Sequence, residues 1–489
     1  MLKYEENRRI YERSVRLILL LAVRDVCPGA RVRIEHSIGA GVYMNVSGVS
    51  LTSALVRRIE ARMHEIAQAD QPIVRSRWTR AQAIEYFAAQ GQEDTVRLLS
   101  YRPFEHFDVY TCDGMSEYFY GDMVKSTGEA SRFALRFYYP GMVLLLPDGD
   151  LSGEPAPFVE RPQLMRTYAE ANEHSRILQC ESAAHLNDII TRGDARMFIR
   201  VNEALHDRSI AHIAERIVAR GARVVFVAGP SSSGKTTFAN RLSVQLRVSG
   251  KRPVAISLDN YYRNREDVPL GPDGTPDLEC LEAIDVPLFN EQLVDLLDGR
   301  EVELPRYSFY TKRREMEGIR MQVSQDDILI VEGIHGLNDQ LSADIPSEMK
   351  FRVYVSALTQ LNLDGHNRIR TTDVRLMRRM VRDNRTRATN ALETMQMWDK
   401  VRYGEEKYIF PFQEKADVMF NTSLLYEIAV LKKYAYPLLK EIGKDSPYYT
   451  RSRRLCKFLH YFKDLTEEDE IPPTSILREF VGGCTFYDE

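Results

Sequence analysis

Residues 224–250 read VVFVAGPSSSGKTTFANRLSVQLRVSG, and the rest of the chain is organised around them. Val224 to Ala228 are five apolar, mostly β-branched residues, the pattern of a parallel strand buried on both faces. Gly229, Gly234, Lys235 and Thr236 complete G-x-x-x-x-G-K-[ST], a P-loop. Thr237 to Val248 has helical spacing and is closed by Gly250, where a helix C′ residue belongs. Glycines let the backbone curl so that its N–H groups and the helix N-terminus face a phosphate chain. Ser231, Ser232, Ser233 and Thr237 complete the predicted phosphate-binding lining. Lys235 supplies a point charge to the β- and γ-phosphates, and the Thr236 hydroxyl is a candidate Mg²⁺ ligand. The stretch predicts a nucleoside triphosphate site.

The chain has 489 residues, enough for two or three domains. Hydrophobic content of 44% and charged content of 28% are those of an ordinary soluble protein. A net charge of -4 gives no whole-protein attraction to nucleic acid or to an anionic membrane. The longest apolar run, Leu17 to Val23, is too short to span a bilayer and has no signal-peptide flanks. Six cysteines without a C-x-x-C pair read as free thiols, so a cytoplasmic location is expected.

Taken in order, Arg13 to Cys27 has helical spacing, RVRIEHSIGAGVYMNV reads as a hairpin, and Ser53–Gln68 and Thr79–Gln90 read as helices. Short strands follow from Phe107 to Leu146, which makes residues 1–150 an α+β domain. PDGDLSGEPAPFVE, residues 147–160, is the clearest linker, and 151–221 reads as linker plus helical connector. Residues 222–445 are the predicted α/β P-loop domain, a mostly parallel sheet flanked by helices, and 446–489 a packed appendage. In the P-loop domain, RPVAISL (252–258) is a second strand leading into Asp259-Asn260-Tyr261-Tyr262. A carboxylate there, at a strand's C-terminal end, is either a general base toward an attacking hydroxyl or the cap of the next turn. Asp327 to Glu332 is a third buried strand whose acid stands where a P-loop enzyme reaches the Mg²⁺ shell. DVRLMRRMVRDNRTRAT (373–389) has an apolar stripe and an arginine face. Such a face is usually solvated, but beside a P-loop it reads as a lid neutralising a transferred phosphoryl group.

Two resemblances sharpen this. Residues 1–150, through PGARVRIEHSIGAGVY and YGDMVKSTG, resemble the editing (second additional) domain of threonyl-tRNA synthetase. That family's metal-like His-x-x-x-His and Cys-x-x-x-His fall here on Arg13, Leu17, Cys112 and Ser116. The resemblance therefore implies the fold without the metal chemistry. Residues 222–445, through GPSSSGKTT, LDNYY, DLECLEAID, ILIVEGIHGL and RLMRRMVRDNRTR, look like the uridine kinase/phosphoribulokinase family. This resemblance implies transfer of the γ-phosphate of ATP, with Mg²⁺, to the 5′-hydroxyl of a nucleoside. It makes Asp259 the base-and-ribose aspartate, with aromatic neighbours Tyr261 and Tyr262, and Glu332 the acid of the strand-Glu-Gly motif. Arg379, Arg382 and Arg387 match substrate and lid arginines, and Tyr307 and Phe309 match aromatics flanking the base. Glu279, after Leu278, replaces the family's ribose-binding Phe-Asp, and Lys312 stands where a histidine reads the pyrimidine edge. The alternatives are a kinase for another hydroxylated substrate such as a sugar phosphate, or a nucleotide-regulated RNA-binding protein. No basic stripe supports RNA or tRNA binding by residues 1–150, and homo-oligomerisation stays open.

Overall fold

The structure, a computed structural model, describes residues 2–271, 274–308, 311 and 313–487. Its contacts gather into two compact units. The first comprises Met1–Ala195, Thr359–Asp373 and Ile428–Leu465; the second comprises Arg196–Leu358, Val374–Glu427 and Thr466–Glu489. The composition-based boundaries at 150, 221 and 445 divide the chain by sequence character, whereas this division follows packing.

The second unit is built on a parallel sheet of five strands. Across the sheet they run Val418–Asn421, Lys350–Ser356, Val224–Ala228, Asp327–Glu332 and Arg252–Ser257. Strand alternation explains why both faces are dry. Val224, Phe226, Leu329 and Val331 join one apolar cluster with Phe289 and Leu293. Val225, Val227, Ile328 and Ile330 join the other with Ile210, Phe238 and Leu242. Numbered within this sheet in chain order, the strands run fifth, fourth, first, third and second across it. The first strand is therefore flanked by neighbours that leave it in opposite directions, the switch point at which open α/β sheets bind ligands. In register, Glu332 lies beside Val227 and Ser257, at the same end of the sheet as the P-loop.

In the first unit, Arg31–Ile38, Gly41–Ser47, Gly141–Leu145 and Ala134–Tyr138 form a four-stranded antiparallel sheet. Val74–Thr79, His106–Cys112 and Met115–Glu117 form a three-stranded one. The unit is α+β. Its long helix, Leu2–Val26, carries the apolar run Leu17 to Val23 wholly inside the core. Among the described residues no helix is long and apolar enough to cross a membrane. All six cysteines are buried and none forms a disulfide among the described residues.

Among the described residues, three helices of nine residues or more lie where no helix was expected: Glu93–Tyr101, Ala391–Gly404 and Tyr449–Leu459. The second starts on a capping box of Asn390 and Glu393, a local signal that was readable. The third buries Leu455, Phe458 and Leu459, an apolar patch visible in the sequence of an otherwise arginine-rich segment.

Leu329 is fully buried in the central part of the parallel sheet. Leu329→Ala is expected to destabilise the second unit by about 2–5 kcal/mol, since truncation leaves a cavity that a packed sheet cannot close. Urea unfolding followed by Trp398, which lies in that unit, in a Trp78→Phe background measures the change.

Candidate active site

The P-loop is held open by backbone geometry. Gly229 runs so close to the neighbouring strand that a Cβ would sit 1.9 Å from the carbonyl oxygen of Val355. Gly234 has φ of +85° and opens the helix Lys235–Val248, a conformation that glycine adopts without strain. The loop's carbonyls are gripped by the arginine helix, Thr371–Thr386. Arg375 donates through Nε to the carbonyl of Ser231 at 2.9 Å. Thr422 donates through Oγ1 to the carbonyl of Ser233 at 2.6 Å, and Arg378 donates to Thr422 in turn. Arg375 and Arg378 are fully buried and paired with Glu405 and Glu427. The arginine face is thus not solvated: its N-terminal half is a structural clamp.

Arg379 and the residues beyond it face a different task. Arg379 donates to the Ser231 hydroxyl at 2.7 Å. Asp383, which is buried, pairs with Arg379 at 3.2 Å, Arg382 at 2.7 Å and Arg387 at 3.7 Å. One carboxylate therefore sets the positions of all three arginines that the sequence singled out. Lys235 places its Nζ 3.3 Å from the Pro230 carbonyl, and the Thr236 hydroxyl donates to Glu332 at 3.4 Å. The hydroxyls of Ser232 and Ser233 are buried without a hydrogen-bond partner among the described residues, a deficit that phosphate oxygens would satisfy.

Asp259 sits in the 3₁₀ turn Leu258–Tyr261 at the exit of the second strand. Its turn is capped by Ser257, whose hydroxyl accepts from the Asp259 amide at 3.3 Å. Among the described residues the Asp259 carboxylate takes no hydrogen bond, so it does not cap the turn. Burial raises its pKa, against the pull of Lys235, Arg387 and Arg382. Burial also pushes Glu332 up to about 7, opposed by Lys235 and reinforced by Asp259 and Glu479. Glu279 is likewise pushed up to about 7, by burial first and then by Glu405, against Arg379.

The remaining sequence candidates divide. Tyr262 donates to the Leu278 carbonyl at 3.0 Å and its ring lies 5.6 Å from that of Tyr307. Tyr261 turns into the core, donating to Gln292 at 2.9 Å and meeting Phe289 edge-on. Phe309 and Lys312 lie outside the described residues.

Sequence reading missed Asp383, Glu405 and Glu479. Glu405 accepts from the Ser231 amide at 3.1 Å. Glu479 accepts from the Thr237 hydroxyl at 2.8 Å and its amide at 3.4 Å. Both carboxylates sit on loop amides, donors of the kind that a P-loop turns toward phosphate. Asp383 could have been found as the one acid between Arg375 and Arg387; Glu405 and Glu479 carry no local signal.

Two expectations follow. Glu279 has a folded pKa above its ordinary value, so its contribution to stability is full below about 4.5 and is lost as pH rises through about 7. Glu279→Gln mimics the protonated form, and its Tm relative to wild type should rise between pH 6 and pH 8. Asp383→Asn should lower turnover by about 10²-fold through misplaced arginines, measured as kcat with saturating ATP.

A family model described as the phosphoribulokinase / uridine kinase family matches residues 224–428. The chain is similar to a uridine kinase of Deinococcus deserti, 29% identical over 197 residues, which covers 40% of this chain and 86% of that one. It is 26% identical over 208 residues to a uridine kinase of Staphylococcus aureus (strain Newman), covering 42% of this chain and 91% of that one. Among solved structures, a possible uridine kinase from Bacillus stearothermophilus is 22% identical, with 45% of this chain and 100% of that chain covered and a TM-score of 0.31.

Proposed function

We propose that this chain, whose residues 224–428 form a kinase domain of the phosphoribulokinase / uridine kinase family, transfers the γ-phosphate of ATP to the 5′-hydroxyl of a pyrimidine nucleoside. The observation that carries this reading is the convergence of Lys235, Asp259, Glu332 and the Asp383-held arginines at one end of the parallel sheet. A P-loop kinase of this family implies ATP as donor. The acceptor is drawn from the uridine kinase relatives and from the aromatic Tyr307 beside Tyr262.

In this reading the Asp259 carboxylate takes the proton of the acceptor hydroxyl. The acceptor oxygen bonds to the γ-phosphorus, the bond from that phosphorus to the β–γ bridging oxygen breaks, and ADP leaves. A buried carboxylate with a raised pKa is a stronger base than a solvated one. Lys235, Arg379, Arg382 and Arg387 neutralise the charge spread over the phosphoryl oxygens. The Thr236 hydroxyl and the Glu332 carboxylate suit Mg²⁺, a hard cation that takes oxygen ligands and keeps several waters. Asp259 and Glu479 both repel the Glu332 carboxylate, which a cation would relieve. Mg²⁺ would supply charge neutralisation across the β- and γ-phosphates.

Glu279 takes the place of a ribose-binding acid, and Gly404 leaves room for it: a Cβ there would meet the Glu279 Cβ at 2.4 Å. Lys312 can only donate, so it favours a 4-keto pyrimidine, uridine or thymidine, over cytidine. We assign the chemistry to residues 222–445 and read residues 1–150 as a synthetase-editing-like domain without that family's metal ligands.

Asp259→Asn should keep ATP binding and lower turnover by about 10²–10⁴-fold, the usual contribution of a positioned base. An ATP-consumption screen over nucleosides and sugar phosphates, run on wild type and this variant, is the measurement. Turnover confined to sugar phosphates, or an Asp259→Asn enzyme as fast as wild type, overturns the assignment.

A further inference from the structure

The first unit contains a cavity of about 30 Å³, lined by six arginines and two carboxylates. Three of these arginines, Arg9, Arg13 and Arg16, stand at i, i+4 and i+7 on the helix Leu2–Val26 and so share one face. The carboxylates are fully used. Asp373 accepts from Arg9 at 2.9 Å and from Arg454 at 2.7 Å. Glu12 accepts from Arg368 at 3.1 Å and from Arg370 at 2.5 Å. Each negative charge is thus shared between two guanidinium groups.

Arg13 and Arg16 are left over. Among the described residues neither forms an ion pair; each donates to a backbone carbonyl, that of Asp122 and that of His366 respectively. Both side chains are buried, at 7% and 6% exposure. Glu5 and Glu6 at the cavity's edge reduce the positive excess without removing it. Glu5 serves Arg9 and Arg451, and Glu6 serves Arg454. With these included, seven guanidinium groups face four carboxylates. Asp364, the other acid that acts on Arg16 besides Glu12, accepts from the amides of His366 and Asn367. Burial lowers the pKa of Arg13 and pushes Arg16 down to about 10, the sign of charge held in a medium that does not solvate it. The Arg16 Nε and the Tyr120 hydroxyl are buried and have no hydrogen-bond partner among the described residues, and Tyr120 lines the same cavity.

We propose that this cavity binds a phosphate group, held by the guanidinium groups of Arg13 and Arg16 and the hydroxyl of Tyr120. A buried charge without a partner is strongly destabilising, and here two of them line one cavity. A phosphate dianion offsets two charges of this positive excess, those of Arg13 and Arg16, and has enough oxygens for two guanidinium forks and a phenol. A carboxylate would leave one cation uncompensated. The volume holds about two waters by the usual measure of roughly 10–15 Å³ each, which suits a phosphoryl group and not a sugar or a base. The ligand is therefore inorganic phosphate or the phosphoryl end of a phosphomonoester whose organic part stays outside. This site uses side-chain guanidinium groups on a helix and shares no residue with the P-loop.

The test is calorimetric titration of the full chain with inorganic phosphate, with the P-loop occupied by a saturating non-hydrolysable ATP analogue. One equivalent should bind, and Arg16→Gln should weaken it at least tenfold without changing affinity for the analogue. Because Arg16→Gln removes an uncompensated charge, it should raise Tm in phosphate-free buffer and lose the further rise that phosphate gives the wild type. Tyr120→Phe, which keeps the ring contacts, should weaken phosphate several-fold. Competition by uridine monophosphate marks a phosphomonoester as an accepted source, and its failure to compete marks free phosphate. No phosphate binding to wild type, equal binding by both variants, or the same response to chloride at matched ionic strength would overturn the proposal.

Discussion

Burying arginine is the constraint on which the second unit rests. The helix Thr371–Thr386 brings Arg375, Arg378, Arg379 and Arg382 in from solvent, and each has an acid to meet it. Arg375 has Glu405, Arg378 has Glu427, and Arg379 and Arg382 share Asp383. Removing one member of such a pair would leave a charge in low dielectric, which costs more than the pair contributes. The pairing fixes the P-loop as well. The same guanidinium groups that meet these acids also hold the Ser231 carbonyl and hydroxyl and, through Thr422, the Ser233 carbonyl. Loop shape and arginine placement are therefore one problem with one solution.

The acids at the mouth of the site follow a related logic. Asp259, Glu332 and Glu279 are gathered where burial disfavours their charge, and cations only partly offset this. Glu405 and Glu479 occupy loop amides with carboxylate oxygens. A site arranged this way holds excess negative charge near the Thr236 hydroxyl and positive charge on the arginine side. Such a division suits a metal-bound triphosphate on one side and a migrating phosphoryl group on the other.

The first unit treats the same problem differently. Three of its arginines also come in from solvent on one helix face, but Glu12 and Asp373 pair with only four of the six around the cavity. In the second unit every arginine of the clamp meets a carboxylate, even if shared, whereas in the first unit Arg13 and Arg16 meet none among the described residues. The imbalance gives the cavity of the first unit its chemical character.

Much of this was legible in the sequence. The strand Val224–Ala228, the loop glycines and the strand Asp327–Glu332 are dictated locally, by β-branched runs and by backbone angles that glycine adopts without strain. The loop's nucleotide chemistry follows from residue order alone, because its amides and Lys235 act over a few residues. The helix Tyr449–Leu459 was not legible as a helix, although its apolar residues Leu455, Phe458 and Leu459 stand out as a patch in the tail. Neither were Glu405 and Glu479, which lie 174 and 242 residues from the loop residues they hold. Spacing in the sequence reports hydrophobic periodicity, which repeats along an element. Charge compensation does not repeat: it joins single residues across the fold, and only the tertiary structure decides which acid meets Arg375 and which arginines are left without one.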